Sequence, residues 1–474
     1  MTLSDRLDAA PLIGLARRAL PDEAGAWIVG GAVRDAILGR EVTDLDLAVG
    51  GDPERAARAL ARAGDGYAFE LSSEFATWRA AGRERDWQVD ATALRGATIE
   101  ADLGARDFTV GAVAVPLGGG EPIDPFGGID DLERRRLRVV AADALRADPL
   151  RLLRAARLAA DLGLDLEPGT AALVRAESRL AAEPAGERQL AELRRLIGGP
   201  DPLRGVALLD ELGLTAAVLP ELAALRGVEQ GPNHHLDVYG HTLAVLEQTL
   251  AVESDLERFA GVEQAAATRQ LLAEPLADEI SHGTALRFGA LLHDIGKPAT
   301  KGERDGHVTF IGHDSAGAEI VGGICRRLRA SGRLTRHLQA LTRQHLRLGF
   351  MVHEAPLPRR RIHDYLRATQ PVSADVTLLT VADRLSARGS GPFATEEAIE
   401  AHLSLARQIL AAALEWRRHG PPEPLLRGGE LAAELGIAPG PELGDLLAEL
   451  EAAQYAGEVS TRDEALERAR RLRG

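Results

Sequence analysis

Two aspartates separated by one leucine, Asp44 and Asp46 of "TDLDLAV", are the first residues whose types and spacing could do chemistry. Side chains alternate along a strand, so the two carboxylates share one face while Leu45 and Leu47 turn to a core. Neighbouring carboxylates repel unless a cation lies between them, and oxygen-only ligands of this kind suit magnesium. The plain alternative is a solvated strand end. A second arrangement is Asp148 and Arg151 in "DPLRLLRAAR", three apart on a helix and therefore neighbours on one face. An acceptor beside a forked donor matches the edges of cytosine and adenine, and guanine and uracil present the reversed pattern. Here the plain alternative is a surface ion pair. A third set comprises "YGHTLAVLEQTL", "LRFGALLHDIGKPATK", "GHVTFIGHDSAGAEI", "LTRQHLRLGF" and "LLTVADRLSARG". Each places one or two histidines or aspartates in an apolar frame, mostly at helical spacing. A lone histidine of that kind is usually a hydrogen-bonded core residue, but several in ordered elements favour a metal cluster. Mixed histidine and carboxylate ligands suit manganese, nickel, cobalt or iron better than magnesium.

These residues need elements to hold them. Ala26 to Val29 reads as a short apolar strand, Gly30-Gly31 as a sharp turn, and Ala32 to Leu38 as a helix closed by Gly39. A glycine turn feeding a helix is a ready anion site, although alone it is a weak signal. Pro149 is tolerated in the first turn of the helix that carries Arg151. The pattern predicts an α+β chain divided near residues 138, 230 and 400. Residues 1–138 form a small mixed sheet with helices on one side, and 139–230 a helical neck. Residues 231–400 are all-helical, with Glu253 to Ser281 as a polar insertion, and 401–474 are a helical tail. In the tail, "LRGGELAAELGIAPGPELGDLLAEL" predicts two short helices joined by Gly436 and Pro439-Gly440, whose exposed amides could hold RNA phosphates. A structural hairpin is an equal reading. The closing "RDEALERARRLRG" is read as a solvated helix.

Composition narrows the class. At 474 residues the chain is too long for one core. No apolar run reaches the roughly 18 residues that a membrane span needs, so no membrane partner is expected. The single Cys325 excludes an internal disulfide and a thiolate metal cluster, which makes the cytoplasm the expected compartment. A net charge of −15 argues against indiscriminate nucleic-acid binding but leaves room for a local basic groove.

"VGGAVRDAILG" followed by "TDLDLAV" resembles the core of the polymerase-beta-type nucleotidyltransferases, specifically bacterial tRNA CCA-adding enzymes and poly(A) polymerases. "QVDATALR", "ADLGARDFTVGAVAV", "DPFGGIDDLERRRLRVV", "ADPLRLLRAARLAADLG" and "ERQLAEL" follow in the family's order. The resemblance implies a polymerase-beta-like head, with the tRNA 3′ end, CTP and ATP as partners. It implies that Asp44 and Asp46 hold two magnesium ions and that Asp90 joins the one nearer the attacking hydroxyl. Gly30, Gly31 and Arg34 would hold the triphosphate, with Arg106 and Asp107 also at the nucleotide. Asp148 and Arg151 would act as a protein template, Arg154 and Arg157 would meet phosphates, and Glu187 and Arg188 would brace the pocket.

Three departures bear on this. Gly111 stands where the family has asparagine, and Ala147 where it usually has glutamate. The segment between "VDATALR" and "ATIEADL" is also short. Full CCA-adding enzymes usually carry a longer flexible loop there, and enzymes that add only CC lack it, so CC-only addition stands as the first alternative.

The histidine segments resemble an HD-type metal phosphohydrolase, with His241, His293, Asp294 and Asp383 as its four ligands. His313 and His345 match the extra histidines of HD domains that hold a second metal or a phosphate, and Lys297 could contact phosphate. His234, His235, His282, His307, His337, His353, His363, His402 and His419 fall outside these patterns and are read as surface or structural. An HD phosphohydrolase with a non-catalytic RNA-binding head is a further alternative.

Overall fold

Strict alternation at "DLDLAV" builds the central strand of the head. In the computed structural model, which describes residues 2–20, 25–73, 76–84, 86–391 and 394–473, a six-stranded mixed sheet occupies the N-terminal part. Its strands are β1 (Ala26–Val29), β2 (Leu45–Val49), β3 (Gly66–Ser72), β4 (Thr77–Gly82), β5 (Gln88–Ala93) and β6 (Ala114–Pro116), in the order β3-β4-β5-β2-β1-β6. Only β2 and β5 run parallel, and the other pairs are antiparallel. Leu45, Leu47, Ile28 and Val89 bury one face against Leu7, Ile13, Val33 and Leu60 from four helices. The opposite face carries a smaller cluster of Val29, Ala48, Ile99 and Leu103, beneath the helix Ile99–Gly104. Helices therefore lie on both faces, which corrects the expectation of one side only. The second layer is short, and it leaves Asp46 open to solvent.

Two compact units divide the chain, 1–218 and 219–474. The first unit continues past the head into helices including Leu150–Leu162 and Gly186–Gly198, which pack together through Leu152, Leu153, Leu190 and Leu193. The left-handed Gly163 ends the first of these.

The second unit is mainly helical, and two short antiparallel pairs, Pro275–Ala277 with Ile280–Ser281 and Gly302–Arg304 with His307–Thr309, correct the expectation that residues 231–400 are all-helical. Helices Val238–Ser254, His282–Leu292, His313–Arg327, Gly332–Gln344 and Ser373–Ser386 form its body, followed by Glu396–His419. Within the expected polar insertion, Leu256–Ala260 and Val262–Ala273 are helices that bury Leu256, Phe259, Ala265 and Leu271. Their charged residues lie on the outward faces, which made the stretch read as polar. The tail helices Gly428–Leu435 and Pro441–Ala456 are joined as expected through a left-handed Gly436, though the second is long. The last helix, Arg462–Arg473, is not simply solvated, because Ala465, Leu466 and Ala469 enter the tail core.

Candidate functional site

Register assembles the first site. Asp46 on β2 is the direct partner of Asp90 on β5, and parallel neighbours in register point to the same face. Two residues before each of these aspartates, Gln88 donates to Asp44 at 2.7 Å, so the three carboxylates meet on one patch of sheet. Across β4, Arg79 is the register partner of Asp90 and grips it with two prongs, Nε to Oδ1 at 2.7 Å and Nη2 to Oδ2 at 2.8 Å. Asp46 has a different environment. Although part of the residue reaches solvent, the surrounding protein withdraws water from its carboxyl, and the charges of Asp90 and Asp44 add to the effect. Its pKa is pushed up to about 6. A carboxylate cluster that raises its own central member fits a cation by the chemistry of its donors.

Gly30 closes the patch. Its φ is +68°, and a side-chain carbon there would lie 3.2 Å from Oδ2 of Asp46 and 3.3 Å from Nη1 of Arg106. Gly31 opens the helix Gly31–Ile37. Arg34 is turned on its neighbour Asp35 in a two-pronged pair at 2.9 and 3.0 Å. Arg106 is fixed by the buried Asp102 and by the Gly111 carbonyl. Burial works to raise the Asp107 carboxyl, but Arg154 at 2.7 Å and the Phe108 amide hold it below its ordinary value.

The expected template pair lies at the start of the Leu150–Leu162 helix. One oxygen of Asp148 accepts from the Leu150 amide at 3.2 Å and the other from Arg188 at 2.9 Å. Arg151 is oriented by backbone carbonyls, Nη2 donating to Ala105 at 2.8 Å and Nη1 to Ala144 at 3.2 Å. Each residue is oriented by other groups, and neither is consumed by the other. Arg157 is sequestered between Glu192 at 2.6 Å and Asp161 at 3.1 Å, with its side chain only 11% exposed. The short connection after β5 is tied down, since the Arg95 amide donates to Asp102 at 3.1 Å.

The second unit gathers all six expected metal ligands. Asp294 is central. Its Oδ2 lies 3.1 Å from Nε2 of His293 and 3.6 Å from Nε2 of His241, and its Oδ1 lies 3.3 and 3.7 Å from Nε2 of His313 and His345. Asp383 completes the first side, 3.0 Å from His241. Nδ1 of His293, His313 and His345 each meets a backbone carbonyl, of Ala290, Phe310 and Thr342. Those carbonyls favour the proton on Nδ1 and turn each Nε2 inward, while burial opposes the charge on His293 and the Asp294 carboxylate raises its pKa despite that burial. Nε2 of His313 and His345 face each other at 3.3 Å, and Nε2 of His241 and His293 are buried without a hydrogen-bond partner. Lone pairs converging in this way fit a divalent cation on either side of Asp294. Burial, with His293 beside it, pushes His345 down to about 4, so it is a neutral donor at physiological pH. Burial opposes the Asp294 charge, yet His293 and Lys297 hold its carboxyl well below the usual range.

A cavity of about 600 Å³ opens on this cluster, lined by Gln230, Asn233, His234, Lys297 and Phe310 among others. Lys297 stands 2.7 Å from Asp294 and donates to Gln230 at 2.6 Å. His234 belongs to the site and not to the surface: its ring centroid is 4.6 Å from that of His241. Sequence reading missed it, although "PNHH" immediately before the His241 helix was the available signal. Arg79 and Gln88 were missed too, and only strand register reveals them.

Residues 26–138 match the Poly A polymerase head domain, 163–225 the probable RNA and SrmB-binding site of polymerase A, and 238–388 the HD domain. An A-adding tRNA nucleotidyltransferase of Deinococcus radiodurans is 39% identical, covering 94% of this chain and 95% of its own. A CC-adding tRNA nucleotidyltransferase of Thermus thermophilus is 35% identical over 93% of this chain and 92% of its own. A Multifunctional CCA protein of Xanthomonas campestris is 33% identical over 92% and 99%. In fold, the chain is similar to a Thermotoga maritima CCA-adding enzyme complexed with tRNA, with TM-score 0.60, 20% identity and coverage of 100% and 99%. It is also similar to a CCA-adding enzyme complexed with CTP, with TM-score 0.63, 20% identity and coverage of 100% and 98%.

Proposed function

The chain belongs to the tRNA nucleotidyltransferase family, with a poly A polymerase head and an HD domain, and from that premise we propose that it builds or repairs the 3′-terminal CCA of tRNA from CTP and ATP. The observation that carries this reading is the register pairing of Asp46 with Asp90, with Asp44 beside them and a glycine turn above. We assign residues 1–138 to the head, 139–230 to the neck, 231–400 to the HD domain and 401–474 to a tail that contacts tRNA. Asp44, Asp46 and Asp90 would hold magnesium, which when bound supplies charge to offset the reacting phosphates. Gly30 and Gly31 leave the backbone clear for the triphosphate, and Arg34 and Arg106 supply charged hydrogen bonds. Asp148 accepts from the exocyclic amine of C or A while Arg151 donates to the ring nitrogen. Arg188 and the Ala105 carbonyl hold that pair in position. Asp107, Arg154 and Arg157 stiffen the pocket wall through their ion pairs. A tRNA substrate would suit work in the cytoplasm; no helix among the described residues is long and apolar enough to cross a membrane.

Partial addition is the second reading, favoured by the tied connection at Arg95 and by relatives named as A-adding and CC-adding enzymes. One experiment separates the cases: incubation with tRNA ending before CCA, and with tRNA ending in CC, with CTP, ATP or both. Full extension of both substrates to CCA supports the leading reading. A stop at CC identifies a CC-adding enzyme, and extension of the CC-ended substrate alone identifies an A-adding one. No extension of either overturns catalysis by the head and leaves an RNA-binding head beside an HD phosphohydrolase.

For the second unit we propose metal-dependent phosphoester hydrolysis, with His241, His293, Asp294 and Asp383 on one side and His313 and His345 on the other. Manganese, nickel, cobalt or iron would suit these donors. Lys297 at the cavity wall suits an anionic substrate, and a 2′,3′-cyclic phosphate at a damaged tRNA end is the first to test. Release of a 2′- or 3′-monophosphate that depends on Asp294 supports it. No cleavage with any of these ions assigns the histidines to structure.

A further inference from the structure

The helices that carry the HD ligands carry a second, separate cluster that no role above uses. Two turns before His345 stands His337; two turns before Asp383 stands Asp375; three turns before His293 stands His282. At a rise of 1.5 Å per residue the two clusters lie roughly 12–16 Å apart along these helices. His282, His337 and Asp375 are 3%, 3% and 2% exposed, and one ligand atom of each lies within 4.8 Å of the others.

Nδ1 of His282 sits 2.7 Å from Oδ1 of Asp375, and the two imidazoles meet edge to face with centroids 5.2 Å apart. Nε2 of His337 is buried without a hydrogen-bond partner and lies 3.7 Å from the same carboxylate oxygen. That separation is too long for a hydrogen bond but suits two atoms bound to a common ion. Burial is the largest influence lowering the His337 pKa, which favours the neutral imidazole. Arg417, the nearest counter-argument to a cation here, is matched by Glu274. A cavity of about 230 Å³ bordered by Ser373, Asp375, Trp416 and Arg417 reaches the cluster at Asp375, giving an entry path and room for water as a further ligand.

We propose that His282, His337 and Asp375 form a second divalent transition-metal site, independent of the HD centre, that staples three helices of the HD domain. The two imidazole nitrogens and one carboxylate oxygen suit zinc first, with cobalt or nickel as substitutes. A hydrogen-bonded trio of the same residues would leave a buried nitrogen unsatisfied, and an ion satisfies it. Bound only by the folded chain, the ion raises thermal stability by mass action.

The test uses the full-length chain in an Asp294→Asn background, which disables the HD centre. Stripped protein is titrated with Zn2+ and Co2+, then assayed by metal mass spectrometry, the visible Co2+ spectrum and Tm. The proposal expects one ion per chain beyond any that the head carboxylates hold in an Asp46→Asn, Asp294→Asn control, a Co2+ spectrum and a Zn2+-dependent rise in Tm. Adding His337→Ala, or His337→Phe if alanine impairs folding, should remove all three. Asp294→Asn protein that binds no ion, or binds the same ion after the His337 change, would overturn it.

Discussion

Asp46 and Asp90 are register partners on the head's two parallel strands, yet only Asp90 is gripped from its other side, by both prongs of Arg79. The patch is therefore asymmetric. Asp90 has its charge matched by the protein, while Asp46 bears the repulsion of its neighbours and is the carboxylate that most needs a cation. Replacing Asp46 by alanine should lower nucleotide addition by about a thousand-fold or more, because loss of metal support removes several kcal/mol. Phosphoester hydrolysis by the other unit should be unchanged. Wild-type addition rates in this variant would remove Asp46 from the site.

The raised pKa has a signed consequence for stability. Asp46 moves from 3.8 to about 6 on folding, so its contribution is full below pH 4 and is lost as pH rises through 6. In chelator, wild-type Tm should decline relative to Asp46→Asn across that window. Magnesium at pH 7 should favour the wild type. Parallel Tm curves with and without magnesium would contradict this.

Gly30 offers a steric test. At φ +68° and ψ −128°, outside the left-handed helical basin, an alanine costs about 1–3 kcal/mol in backbone conformation alone. Its methyl group would also press on Asp46 and Arg106. Gly30→Ala should fold, with a lowered Tm, and lose addition far out of proportion to that loss. Retained activity would show that the turn is merely structural.

For base choice, Arg151→Ala should reduce CTP and ATP use and weaken discrimination against UTP and GTP by about 10- to 100-fold, the worth of one charged hydrogen bond. Arg188→Ala should act in the same direction but less, since Asp148 keeps the Leu150 amide. Competition assays with the four triphosphates measure both, and unchanged preference in Arg151→Ala would exclude it as a reader.

Arg157 should behave differently. Its removal leaves the buried Glu192 beside Asp161 with only the longer Arg154 and Arg195 pairs at 3.6 and 3.9 Å, costing about 1–3 kcal/mol of stability. Affinity for tRNA should keep its salt dependence, because an arginine held by two carboxylates releases no counterions. A shallower salt slope in Arg157→Ala would instead make it a phosphate contact.

Much of this was legible in one dimension. Asp44, Asp46 and the glycine turn announced themselves because a strand and a turn are local, and the HD ligands because each sits in its own helical frame. Residues that depend on which strand lies beside which were hidden: nothing in "TWRAAG" says that Arg79 will meet Asp90. The second histidine cluster was hidden for a similar reason. His282 and His337 look like isolated core histidines until three helices align them with Asp375. Arg157 shows the converse, since helical spacing placed it beside Arg154 but could not foresee Glu192 arriving from 35 residues away.

Asp294 divides its two oxygens between the two halves of the HD cluster, Oδ2 toward His241 and His293, Oδ1 toward His313 and His345. One torsion of one side chain therefore addresses both compartments, and neither can be retuned through it without disturbing the other. Loss-of-function alleles at this position would be indivisible, silencing both halves together. Any graded or half-active form of the centre must arise among the histidines, where His241 and His313 can vary independently. Asp294 is a shared hinge pin, and evolution can work on the doors but not on the pin.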